Sequence, residues 1–395
     1  MKKVTLFIIL HISLGICIAS CQKEPSNTHL CKTDAIALTN STLIDGKESD
    51  TIQNSVILIE DGIIKDVGES GKIIIPSKYK IYDLKGTYVL PGFINAHVHD
   101  SFDAEKLKQW AYDGVTTVRD ECLLDKFPTS KYISLRNNKL NKPENARIIS
   151  AGHMFSAPDG YGRIYVTSPE DAVKKVNQEI DAGVDLIKIS LEDGYANFSN
   201  LPKLSSAEFD SIIQTAHKRG TKVTAHITQG KHMKVMVDKG VDDIAHCPYD
   251  YEEKETFQKM IDQNIYLVST LTVLDAFGVP ENQSNNNLKT FIDMGGMVAL
   301  GNDYSKIPQN NFPHFEIGMP MYEIKRMASA GMTPMQIIIA STRNAAHVCG
   351  LDNTTGTIEI GKQADILVLK GNPLENLDFL KEIKMVLHNG IIIRE

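Results

Sequence analysis

"LPGFINAHVHD" occupies residues 90–100. An apolar run ends in two histidines, His97 and His99, one residue apart. On a β-strand that spacing turns both imidazoles to one face. The stretch predicts a buried strand carrying two metal-competent side chains at its C-terminal end. Taken alone, His-x-His fits a metal site and a pair of hydrogen-bonded structural histidines equally well. The rest of the chain decides between them.

Seven more strand-like runs follow: GVTTVRD (114–120), ARIISAGH (146–153), VDLIKIS (184–190), TKVTAHI (221–227), VDDIAHC (241–247), NIYLVSTL (264–271) and GMVALGND (296–303). Helix-like stretches lie between them. SPEDAVKKVNQEIDAG (168–183) and SSAEFDSIIQTAHKRG (205–220) open on a serine cap and close on glycine. Eight strand–helix alternations predict an α/β fold, a (β/α)8 TIM-like barrel. A doubly wound open sheet also alternates. It is disfavoured because no glycine-rich phosphate loop follows an early strand.

The flanks read differently. Residues 34–90 are rich in β-branched residues and turn signals, and IEDGIIKDVG (59–68) is a hairpin signal with Asp61-Gly62 at its tip. After the eighth run come helical segments, then TIEIGKQADILVLKGN (357–372) and EIKMVLHNGIIIRE (382–395), again strand-like. Strands from both chain ends are expected to pair into a small β-sandwich. The expected division is 34–90 and 351–395 for that sandwich and 91–350 for the barrel.

The chain begins with a basic MKK, an apolar stretch over residues 4–18, and Ile18-Ala19-Ser20-Cys21. This reads as an export signal (1–20), too short and wrongly flanked for a membrane span. The last four residues resemble a bacterial lipoprotein box, with Cys21 as the lipidated residue; an ordinary signal cleaved nearby is the alternative. Residues 21–33 then form a polar tether. The expectation is an exported protein, lipid-anchored to a bacterial membrane on its periplasmic or outer-membrane face. Six cysteines are present without a C-x-x-C pair, so no disulfide is demanded. The 395 residues, 42% hydrophobic and 23% charged, suit a folded protein. A net charge of -7 argues against a nucleic-acid partner, since nothing would neutralise a row of phosphates. A homo-oligomer is left open.

Chemistry in such a barrel sits at the C-terminal ends of the strands. The first run ends in His97 and His99, the fourth carries Lys188, the fifth His226, the sixth His246, and the eighth ends in Asp303. A lone strand-end histidine is usually structural, and a strand-end aspartate often caps a helix. Four histidines and an aspartate on four of eight strands shift the balance to a divalent metal such as zinc. Val184, Leu186 and Lys188 share a face. An ammonium beside two cations would be repelled. Carboxylation by carbon dioxide removes the conflict, because the carbamate is anionic. The bland alternative is a lysine snorkelling out of the strand end.

Together PGFINAHVH (91–99), LIKIS (186–190), VTAHI (223–227), DDIAHC (242–247), ALGND (299–303) and the C-terminal stretches at 331–351 and 356–376 resemble the amidohydrolase superfamily. The resemblance covers roughly residues 34–394, and its nearest subgroup is the imidazolonepropionase-like hydrolases, which include Xaa-Pro dipeptidases. It implies two divalent metals, most simply zinc. His97, His99 and Asp303 would hold the more buried one, His226 and His246 the other, with carboxylated Lys188 and a hydroxide bridging them. Imidazolonepropionases themselves lack the lysine and use one metal, so Lys188 points to the dipeptidase-like branch. HITQGKH (226–232) lacks the H-x-x-E of the deaminase branch.

The implied activity is hydrolysis of an amide or peptide bond in a small substrate, a dipeptide or N-acyl amino acid. Asp303 would shuttle the proton from water to the leaving amine. A lactone, ester or phosphotriester is the alternative substrate for the same site. A surface lipoprotein that binds without catalysis is the alternative of another class. His153, after the third strand, and Tyr249, after the sixth, are the candidate substrate contacts. Arg163, Tyr304 and the loop 304–318 are weaker ones.

Overall fold

A computed structural model describes residues 35–194, 200–250, 253–306 and 312–395. The expected export signal, the tether and Cys21 lie outside the described residues. The Asp61-Gly62 signal forms the hairpin expected of it. Both residues take positive φ, 52° and 75°, the type I′ geometry that matches strand twist. Strands Ile52–Glu60 and Ile63–Glu69 pair antiparallel across it, Glu60 opposite Ile63.

Both chain ends share one eight-stranded sheet. Ile36–Leu43 lies beside Tyr88–Pro91, which pairs antiparallel with Ile366–Leu369 near the C-terminus, Leu90 opposite Leu367. Leu38, Ile57, Val89, Ile366 and Leu387 close its apolar core. One expected strand does not form. Thr357–Ile360 alternates like a strand, but Gly356 and Gly361 flank it at φ 91° and break it into turns.

The eight barrel strands are Phe93–Val98, Val115–Asp120, Arg147–Ser150, Leu186–Ser190, Lys222–His226, Asp243–Ala245, Tyr266–Val268 and Val298–Ala299. They are parallel. Ser190 pairs with His226, His226 with Ala245, Ala245 with Val268, and Val268 with Ala299, so the C-terminal ends lie side by side. The ring closes between the last strand and the first. Ala96 N donates to Leu300 O at 2.8 Å, Asp303 N to His97 O at 2.9 Å, and Val98 bridges Tyr304. The outer helices follow their caps. Ser168 caps Pro169–Ala182, with proline in its first turn and Gly183 left-handed after it, and Ser205 and Glu208 form a capping box on Ser206–Lys218.

Below the strand ends the barrel is plugged by charge. Arg119 is fully buried and forks onto Asp243 at 2.9 and 3.0 Å, while Nε donates to Ala96 O. Burial alone would raise Asp243, but the guanidinium overrides it and holds the carboxyl below its ordinary value.

Candidate metal centre

The first group of donors forms where the first and eighth strands meet. Asp303 Oδ1 lies 3.3 Å from His97 Nε2 and 3.1 Å from His99 Nε2. One donor atom from each residue falls within 4.8 Å of the others. Asp303 is left-handed, φ 55°, which turns its carboxylate back toward the histidines after the strand has ended. His99 Nδ1 faces Cys122 O at 3.2 Å, which orients Nε2 inward.

Burial, and after it the charge of Lys188, holds His97 well below the usual imidazole range, so its ring is neutral and keeps a lone pair. Burial also works against protonation of His99. There the Asp303 hydrogen bond and charge win, raising it to about 9. One proton thus sits where three donors converge, and a divalent cation would displace it.

The second group comes from the fifth and sixth strands. His226 Nδ1 and His246 Nε2 face each other at 2.9 Å. Both are lowered by burial, His246 strongly. Each is braced from behind. Glu192 Oε2 lies 3.3 Å from His226 Nε2 and accepts Thr228 Oγ1 at 2.7 Å, while Thr270 Oγ1 lies 2.7 Å from His246 Nδ1. The two groups are neighbours, since the His97 and His246 ring centroids are 4.9 Å apart and Asp303 Oδ2 is 3.9 Å from His246 Nδ1. Three neutral imidazoles, a fourth whose proton a cation would displace, and a carboxylate fit divalent cations.

Lys188 is buried in the mouth, 2% exposed, so the snorkelling alternative is not adopted. Its Nζ donates to Glu121 Oε2 at 2.5 Å, and Glu121 Oε1 pairs with Arg119 Nε at 2.6 Å. The amine therefore joins the charged plug below.

The expected substrate contacts have partners of their own in the unliganded chain. His153 has both ring nitrogens engaged, Nδ1 with Thr129 Oγ1 at 2.8 Å and Nε2 with Asp125 O at 3.1 Å. Tyr249 Oη accepts from Gln229 Nε2 at 2.8 Å. Arg163 donates to Leu124 O from an exposed position. Tyr304 is core, edge-on to Trp110. Within the loop 304–318, residues 307–311 lie outside the described residues.

Four residues around the site escaped the sequence reasoning: Glu121, Glu192, Thr270 and Tyr161, whose ring packs on His226 with centroids 4.5 Å apart. A signal existed for the first two. Glu121 directly follows the second strand and Glu192 comes two residues after the fourth, both at the face that carries chemistry.

The model of the amidohydrolase family matches residues 88–393. The ochratoxinase of Aspergillus niger is 23% identical, covering 88% of this chain and 83% of the relative. The imidazolonepropionase of Clostridium tetani is 24% identical over 82% of this chain and 86% of its own. A Xaa-Pro dipeptidase solved with methionine in its active site superposes with a TM-score of 0.78 at 23% identity, covering 91% of this chain and all of that one. By a family match that takes in the whole barrel and the later strands of the flanking sheet, the chain belongs to the amidohydrolase family and is a hydrolase of carbon–nitrogen bonds.

Proposed function

We propose that the chain cleaves the amide or peptide bond of a small substrate, a dipeptide or N-acyl amino acid, at two divalent cations. The carrying observation is the convergence of His97, His99 and Asp303 with His226, His246 and Lys188 in one barrel mouth. Zinc suits that donor set. Divalent cations bound to these residues would supply Lewis acidity, lowering the pKa of water from ~15.7 toward ~7.

The chain's own groups do the rest. His97 and His99 would hold one cation with Asp303, and His226 and His246 the other. Asp303 turns Oδ1 to the histidines of the first strand. Its second oxygen takes the proton of the attacking water and delivers it to the leaving nitrogen. Carboxylation of Lys188 would convert a cation into an anion where cations need a ligand. That step adds CO2 to the nitrogen and releases two protons from the ammonium; the one N–H left on the carbamate nitrogen would have Glu121 Oε2, the present partner of Nζ, as its acceptor.

The test is a panel of dipeptides, N-acyl amino acids and lactones with the zinc-loaded protein. Turnover of amides above lactones is expected; turnover of lactones alone overturns the assignment. The N-terminal features support export and a lipid anchor at Cys21. Labelling with a fatty-acid analogue should mark the wild type and spare Cys21→Ala; label on both rejects the anchor.

A further inference from the structure

Thr270 stands just past the seventh barrel strand with φ 46° and ψ 39°. This is the left-handed region, which glycine and asparagine enter readily and a β-branched residue does not. The strain is held from outside. Glu323, fully buried on the helix Met321–Ser329, accepts four hydrogen bonds from the residues around Thr270. These come from Ser269 Oγ at 2.6 Å, Leu271 N at 2.9 Å, and Thr272 N and Oγ1 at 2.7 and 2.6 Å. Thr270 N donates to Gly301 O at 3.0 Å, tying the same turn to the eighth strand. Every neighbour of Thr270 is clamped, while its own hydroxyl is left for His246 Nδ1 at 2.7 Å.

That clamp would work with glycine at position 270, without strain. What glycine lacks is the hydroxyl. A hydroxyl can donate or accept, so it suits either tautomer of His246. With a cation on Nε2, the proton must sit on Nδ1 and be donated to Oγ1. We propose that Thr270, held left-handed by Glu323, is a positioning residue that aims His246 Nε2 at the second cation. The assignment rests on the reading of His226 and His246 as that cation's ligands.

The experiment is a zinc titration of the metal-stripped full chain against a chromophoric chelator, for wild type, Thr270→Val, Thr270→Ser and Thr270→Gly, with melting curves of each metal-free protein. Wild type should bind two equivalents. Thr270→Val should weaken the second by ~10–100-fold and leave the first unchanged. Thr270→Ser should restore it. Thr270→Gly should weaken it as valine does while melting no lower than wild type, because the strain is gone. Two equivalents bound with wild-type affinity by Thr270→Val, or failure of serine to rescue, overturns the inference alone. One equivalent in the wild type overturns the two-cation reading and the inference with it.

Discussion

The two halves of the candidate centre use the same kinds of donor and are braced in different ways. His97 and His99 converge on Asp303, a carboxylate from their own set. On the other side each donor leans on a group outside the set: His226 on Glu192, His246 on Thr270, Lys188 on Glu121. The first half carries its own negative charge. The second has two neutral imidazoles and a cation, and gains an anion only through chemistry on Lys188. The first half should therefore hold a cation by itself, and the second only while its supports are intact.

The strongest way to break this comparison is Asp303→Asn, which removes the one carboxylate of the first half. Turnover should fall by about 10²–10⁴-fold, the range of a general acid–base group, with the far-UV circular dichroism of the native fold retained and the first equivalent of zinc bound more weakly. Near-normal kcat would remove Asp303 from the proton path. The next largest effect should be on stability. Glu121→Gln strips the anion from buried Lys188 and one of two carboxylates from Arg119. Breaking a buried pair this way costs about 3–5 kcal/mol, read by urea unfolding of the metal-free protein. A loss under ~1 kcal/mol would show that the plug is held by Arg119 and Asp243 alone.

The first half is sharpened by pH. His99 is raised to about 9 in the folded, metal-free protein, against ~6.5 when unfolded. Its pair with Asp303 thus adds stability that is complete below about pH 6.5 and lost as pH rises through about 9. Wild type should exceed His99→Gln by ~2–3 kcal/mol at pH 6, and the gap should close near pH 9.5. A gap that persists at pH 9.5 would assign it to packing.

The halves also differ in how much of them the sequence disclosed. His97, His99, His226, His246 and Asp303 were legible because each is a metal-competent type at or beside a strand end, and Lys188 because it is a charged residue within a buried strand of the same barrel; strand periodicity alone places them together. The barrel was legible for the same reason. The supports were not. Glu121 earns its place through a lysine 67 positions away, and Thr270 through a backbone angle and a glutamate on a later helix. No local pattern encodes such pairings. His153 was legible by its position past the third strand, but its partners in the unliganded chain, Thr129 Oγ1 and Asp125 O, were not, because they come from residues 24 and 28 positions away. Thr357–Ile360 shows that alternation does not make a strand between two glycines at positive φ.

The smallest effect tests the bracing at its outermost member. Thr228 Oγ1 donates to the Glu192 oxygen that faces His226 Nε2. Glu192 is buried, and Gly194 N supplies its other oxygen, so Thr228→Val leaves one carboxylate oxygen facing the imidazole alone. A hydrogen bond to a charged acceptor is worth about 1.5–3 kcal/mol where nothing replaces it. Thr228 is not fully buried, water can enter, and a net loss near 1 kcal/mol is the expected size. The zinc titration should show a several-fold weaker second equivalent and an unaltered first. Equal weakening of both would mean that the two halves share their supports, and the contrast between them would fail.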